Sequence, residues 1–234
     1  CTGVGRVFVG QRKDPFVVNL GETFDLVNIK YPAVELNAAT DNPLVFAETD
    51  DVISGGNFHG APLAFGFDYA AIAITDLMSM SERRTDRLTN PDKSEGLPAF
   101  LAQRPGVESG FMIAHVAAAS LVNEARVLAH PASIDNITTS GGKEDHVSMG
   151  ATAALKLREV AENLEMILAI EAFCAAQGID FRKKVIGVEK RLGTGTRKLY
   201  DTLRESIPFI QSDEYMKPHI DAAIAVIRNF RTVR

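Results

Sequence analysis

The chain has 234 residues, 46% of them hydrophobic and 24% charged, and a formal net charge of −5. That is enough chain for one or two domains with a real core, and the mild acidity argues against a broad nucleic-acid footprint. No run of 18 uninterrupted apolar residues occurs, which argues against a membrane span. Cys1 and Cys174 alone cannot build a disulfide framework, which favours a reducing, cytoplasmic setting. The first residue is Cys, and no charged-then-apolar leader follows, so the sequence reads as a fragment or a processed piece.

Residues 1–33 carry β-favouring and apolar positions (Val7, Val9, Phe16, Val17, Val18, Phe24, Leu26, Val27) punctuated by Gly3, Gly5, Gly10, Pro15 and Gly21. Short strands or irregular structure are expected there. From about Glu35 the text turns helical, rich in Ala, Leu, Met, Glu and Arg. Helices are expected over 62–89, with Ile72, Ile74, Leu77, Met78 and Leu88 apolar, and over 111–129, with Met112, Ile113, Val116, Leu121, Val122, Val127 and Leu128 apolar. The longest covers 145–177, where Ala153, Leu157, Val160, Leu164, Ile167 and Leu168 recur at three- and four-residue spacing, with Gly178 as its stop. The stretch 179–194, with Arg182, Lys183, Lys184, Lys190 and Arg191, reads as a solvated basic connector, and shorter amphipathic helices follow over 195–206 and 217–230. The pattern predicts an all-α, elongated helical bundle whose apolar faces are completed by oligomer contacts.

Gly3-Val4-Gly5 and Gly193-Thr194-Gly195 lack the further residues of a phosphate loop and read as a turn and a helix entry. His59, His115, His130, His146 and His219 form no same-helix pair and Cys174 has no cysteine neighbour, so no metal site is expected; His115 reads as a core histidine with a satisfied hydrogen bond. Ser54-Gly55-Gly56-Asn57-Phe58-His59-Gly60 is more unusual. Two glycines allow close backbone approach, and Asn, an aromatic ring and His follow within three residues. The run reads equally as a tight turn opening the next helix or as a pocket wall. Glu144 and Asp145, placed at the start of the longest helix, read either as complements to its dipole or as carboxylates facing a pocket.

An ordered series of motifs then stands out. Asn37-Ala38-Ala39-Thr40-Asp41-Asn42-Pro43-Leu44, Ser54 to Gly60, Ser81-Glu82-Arg83-Arg84, Gly96-Leu97-Pro98-Ala99-Phe100-Leu101, Ser109 to His115, Leu128 to Ser133, and Glu144-Asp145-His146-Val147-Ser148-Met149 follow one another over residues 34–234. Together they resemble the aromatic amino-acid ammonia-lyases, and within that family the histidine-type members, the histidine ammonia-lyases. The resemblance implies elimination of ammonia from an amino acid, L-histidine giving urocanate, on an electrophilic methylidene-imidazolone formed from an internal Ala-Ser-Gly, with no metal. It implies a tetramer whose active sites draw on several subunits. Glu144 matches the carboxylate that histidine-type members place near the substrate imidazole, and it is the candidate catalytic residue. Phe58 matches a pocket-lining position, with Asn57 and His59 at the pocket edge as further substrate-binding candidates. Lys143 departs from the family's Gln, where it would tie up the Glu144 carboxylate.

No Ala-Ser-Gly triplet occurs in the chain; Ala132-Ser133-Ile134 fails at its third residue. The family's tyrosine base and Tyr-Ser-x-Arg motif are absent as well. The chain therefore resembles the C-terminal half of a lyase, inactive alone, whose partner would be a missing N-terminal half or further copies of itself. Residues 1–33 do not match the lyase. Gly10-Gln11-Arg12-Lys13-Asp14-Pro15-Phe16 with Leu20-Gly21 and Phe24-Asp25-Leu26 resembles an uncharacterised bacterial secreted family, so an appendage over 1–33 joined to a lyase portion over 34–234 is expected, by fusion, rearrangement or assembly error. The alternatives are a phenylalanine- or tyrosine-type lyase fragment, and a non-catalytic helical remnant or assembly partner.

Overall fold

The computed structural model describes residues 6–9, 16–19, 35, 38–186 and 192–230, with the backbone alone for 6–9, 16–19, Asn57 and 185–186. Among these, two antiparallel hairpins pair β1 (Arg6–Val9) with β2 (Phe16–Asn19) and β3 (Leu44–Phe46) with β4 (Asp51–Ile53). Five α-helices follow: α1 (Ala61–Thr89), α2 (Met112–Leu128), α3 (Gly150–Ile186), α4 (Thr194–Ser206) and α5 (Lys217–Asn229). The protein is helical, as its composition predicts. It forms two compact units, Cys1–Ala73 with Leu128–Glu159, and Ile74–Val127 with Val160–Arg234.

The second unit holds the larger described core. Phe111 and Phe173 are fully buried and tilt against each other at 4.7 Å between ring centroids, with Met78, Leu101, Ile167, Ile170 and Ile207 also buried. On α2 the buried stripe is Ala114, Ala118, Val122 and Ala125, at spacings of a single helix face. Ile113, Val116 and Val127, apolar positions of the expected helix, are exposed. Small residues let neighbouring backbones come close, and the large ones are left on the outer face.

Two further expectations change. Gly178 does not end α3, which runs on to Ile186. A Cβ there would lie 3.4 Å from a Leu97 methyl and 3.8 Å from methyls of Leu88 and Leu101, so the position is packed inside the helix rather than at its end. The basic residues after it are not a solvated connector. Arg182 donates to the carbonyls of Ser94 and Glu95, Lys183 lies 4.1 Å from the Tyr200 ring centroid, and Lys184 lies 4.5 Å from that of Phe209. Lys190 and Arg191 lie outside the described residues.

Ala61–Thr89 and Met112–Ile134 are long and apolar enough, by length and composition, to cross a membrane. Counting uninterrupted apolar residues misses this, because small and hydroxylated residues dilute the run without making it polar. Ser81, Glu82, Thr85 and Thr89 on α1 are nonetheless buried and hydrogen-bonded, which suits a helix inside a protein core.

Candidate functional site

The unusual residues of the sequence converge within the first unit. Asn42 lies just before β3, and its Oδ1 accepts hydrogen bonds from the Ser54 hydroxyl (3.0 Å) and the Gly55 N–H (3.1 Å). This ties the start of the glycine run to the base of the β3–β4 hairpin. Asn57–His59 form one 3-10 turn. Gly60 then takes a left-handed conformation, φ +70°, and its carbonyl accepts the N–H of Ala64 to begin α1. The turn opens the helix, as the first reading of the run has it, and it leaves the Phe58 ring exposed. The Asn57 side chain lies outside the described residues.

Glu144 and Asp145 do not begin a helix. α3 starts only at Gly150, so the helix-dipole reading of these carboxylates is wrong by more than a turn. Ser140, Gly141 and Gly142 have φ of +55°, +65° and +87°, and they curl the chain so that Thr139 faces Glu144. Thr139 N–H donates to the Glu144 carbonyl at 2.8 Å, and Glu144 N–H donates back to the Thr139 carbonyl at 3.4 Å. Two successive glycines suit this geometry because a Cβ disfavours left-handed backbone. Helix-forming text downstream pulled the sequence-based boundary forward, whereas Ser140-Gly141-Gly142 marks a turn.

Past Glu144, the chain is held from two further directions. Asn136 Oδ1 accepts the Val147 N–H at 2.7 Å, while its Nδ2 donates to the Asp145 carbonyl at 3.4 Å. His59 Nε2–H donates to the His146 carbonyl, and the two imidazoles stack at 5.0 Å with an 18° interplanar angle. The Phe58 ring meets His59 edge-on at 6.4 Å. Phe58, His59 and Glu144 thus belong to two loops joined by a direct bond. Asn136 is a residue that motif matching alone passes over; an Asn shortly ahead of a glycine turn is its only trace in the sequence.

The Glu144 carboxylate has no hydrogen-bond or ion-pair partner among the described residues, and Lys143 does not pair with it. Asp68, in the same unit, is the contrasting carboxylate. Burial opposes its charge, but hydrogen bonds from the Ser133 backbone and side chain and the Ala132 backbone, with the Lys156 charge, hold its carboxyl below the usual range. Asp68 fixes the Ala132–Ile134 turn; Glu144 is left able to accept a hydrogen bond from something else. His115, as expected, is satisfied, by Glu82 at 2.8 Å.

A mainly helical protein here presents an aromatic ring and an unpaired carboxylate on two bonded loops, inside a long ordered series of motifs. The sequence pattern of the aromatic amino acid lyases matches residues 29–205. The chain belongs to that family. Histidine ammonia-lyase of Chloroflexus aurantiacus is 53% identical over 192 residues, 80% of this chain and 37% of that protein. The crystal structure of histidine ammonia-lyase from Trypanosoma cruzi superposes with a TM-score of 0.78 at 43% identity, over 88% of this chain and 41% of that one. The tyrosine aminomutase of Streptomyces globisporus superposes with a TM-score of 0.82 at 34% identity, over 94% and 43%. The chain spans less than half the length of these relatives.

The family's electrophile does not fit the residues present, since no Ala-Ser-Gly occurs in the sequence to form it. What the described residues offer at this place is a carboxylate able to accept a hydrogen bond and an exposed aromatic ring.

Proposed function

We propose that this chain is the substrate-reading portion of a histidine ammonia-lyase, an enzyme that eliminates ammonia from L-histidine to give urocanate. The free carboxylate of Glu144 carries this reading. An imidazole N–H donating to a carboxylate makes a charge-assisted bond that a phenyl ring cannot reproduce. Phe58 supplies an aromatic wall beside it, and Asn57 and His59 belong to the same turn. The electrophile comes from an Ala-Ser-Gly segment outside this sequence. In this reading the lyase portion covers 34–234 with an appendage over 1–33, and the protein is cytoplasmic and homo-oligomeric. The exposed Ile113, Val116 and Val127 on α2 support the oligomer, as a row of large apolar side chains suits a helix-to-helix contact.

The test is Glu144→Gln in enzyme reconstituted with a segment bearing Ala-Ser-Gly. Histidine turnover is expected to fall on the order of 100-fold or more, with far less effect on any phenylalanine turnover. Unchanged histidine turnover overturns the assignment in favour of a phenylalanine- or tyrosine-type lyase, the reading that the tyrosine aminomutase superposition supports. Failure of every such segment to restore turnover favours a non-catalytic remnant.

A further inference from the structure

We propose that His59 and Asn136 are positioning residues that hold the loop after Glu144 and so set the direction of its carboxylate; this rests on Glu144 being the group that reads the substrate. Three successive carbonyls, those of Glu144, Asp145 and His146, are each bonded, to Thr139, Asn136 and His59 respectively. The Val147 N–H is bonded as well, so Asn136 grips the chain at two points, one on each side of His146. The donors come from two separate stretches of sequence, His59 from one and Asn136 with Thr139 from the other. A loop with its backbone bonded in this way has few conformations left, while the unpaired Glu144 carboxylate at its start stays open.

The tautomer follows from the geometry. A carbonyl only accepts, so His59 carries its proton on Nε2, and that nitrogen is committed to the loop. Substrate is left to Phe58 and Glu144, and His59 acts through the second of these. The stack on His146 and the edge contact with Phe58 make His59 the physical link between the two loops. Close packing alongside supports the link. A Cβ on Gly150 would meet the Ser148 hydroxyl at 3.5 Å, Ala64 at 3.7 Å and the Gly60 carbonyl at 3.9 Å, so the starts of α1 and α3 already touch.

The experiment uses the full 234-residue chain, 15N-labelled, with L-histidine as the probe. In the unaltered protein, the His59 side-chain nitrogen shifts should report the Nε2–H tautomer, and L-histidine should perturb the Glu144 amide. His59→Phe keeps a ring but removes the donor; His59→Gln restores a donor without the ring. Asn136→Ala removes both grips; Asn136→Asp keeps the acceptor for Val147. Amide exchange at Val147 should rise about 10-fold or more in Asn136→Ala and stay near the original in Asn136→Asp, with amides of the second unit unmoved. L-histidine affinity should fall about 10-fold in His59→Phe and Asn136→Ala, and His59→Gln should recover part of it. Normal affinity in both His59→Phe and Asn136→Ala overturns this inference alone. An unaltered protein whose Glu144 amide ignores L-histidine overturns the substrate reading and this inference with it. If Asn136→Ala loosens the whole protein, Asn136→Asp and His59→Gln carry the test, and loss of affinity there without the loop-specific exchange pattern overturns it.

Discussion

Particular carboxylates of the two compact units offer a direct comparison. In the second, the buried and part-buried carboxylates Glu171, Glu82 and Asp180 are neutralised where they sit. Glu171 receives two bonds from the Arg84 guanidinium and a third from the Ser81 hydroxyl at 2.5 Å. Glu82 is buried, which opposes its charge, yet Arg83 and His115 hold its carboxyl below the usual range. Asp180 is shared by Arg204, at 2.6 Å, and the Tyr200 hydroxyl. In the first unit, Asp68 follows the same rule but Glu144 does not, although its backbone is firmly held. A carboxylate with its donors in place already belongs to the fold. A carboxylate with none, on a fixed loop, is open to a ligand. The contrast separates acidic residues that one could not tell apart by type.

The largest effect should come from the packed core. Phe173→Ala removes a fully buried ring in contact with Phe111 and should cost about 3–5 kcal/mol, read as a fall in the urea midpoint. Glu171→Ala should cost about 2 kcal/mol. That is below the penalty for a fully buried pair because Glu171 and Arg84 keep 20% and 25% of their side-chain exposure. A loss under about 0.5 kcal/mol would show that these bonds do not hold the second unit, and the contrast between units would lose its first term.

Much of this arrangement is legible in the sequence, for reasons that differ by scale. Helical periodicity shows the helices, since a buried face repeats every three or four residues wherever it packs. It does not show which apolar residues face inward. Ala114 and Ala118 are buried while Ile113 and Val116 are not, because that choice depends on how closely a neighbour approaches. Gly178 suggests a stop from its usual role, yet it lies inside α3, beside leucine methyls that a Cβ would meet at ordinary contact distance. Phe58 and Glu144 emerge from motifs. Their connection through His59 and Asn136 does not, because it joins positions 87 and 11 residues apart by backbone carbonyls and amides that carry no residue type.

Asp68 offers a finer test, in the pH dependence of stability. Its carboxyl titrates below the usual range in the folded protein, so its stabilising contribution is complete above the unfolded value of about 3.9 and is lost as pH falls through the folded value. Asp68→Asn should cost about 1–2 kcal/mol at pH 7. The gap to the unaltered protein should close as pH drops below about 4, in paired urea titrations at pH 7 and pH 3. A gap independent of pH would mean that shape, not charge, holds the Ala132–Ile134 turn.

The smallest expected change in stability is at Glu144, and there smallness is the informative result. Its carboxylate has no partner among the described residues, so Glu144→Gln removes no bond that folding uses. The urea midpoint should move by less than about 0.5 kcal/mol equivalent, while binding of L-histidine collapses. Asp68→Asn should show the reverse, a measurable loss of stability and little loss of binding. A side chain that matters for ligand and not for fold is what an unpaired carboxylate on a bracketed loop means physically. If Glu144→Gln instead destabilised the protein as much as Glu171→Ala, the carboxylate would have a folding partner after all. The distinction between the two units would then dissolve at the residue on which it depends.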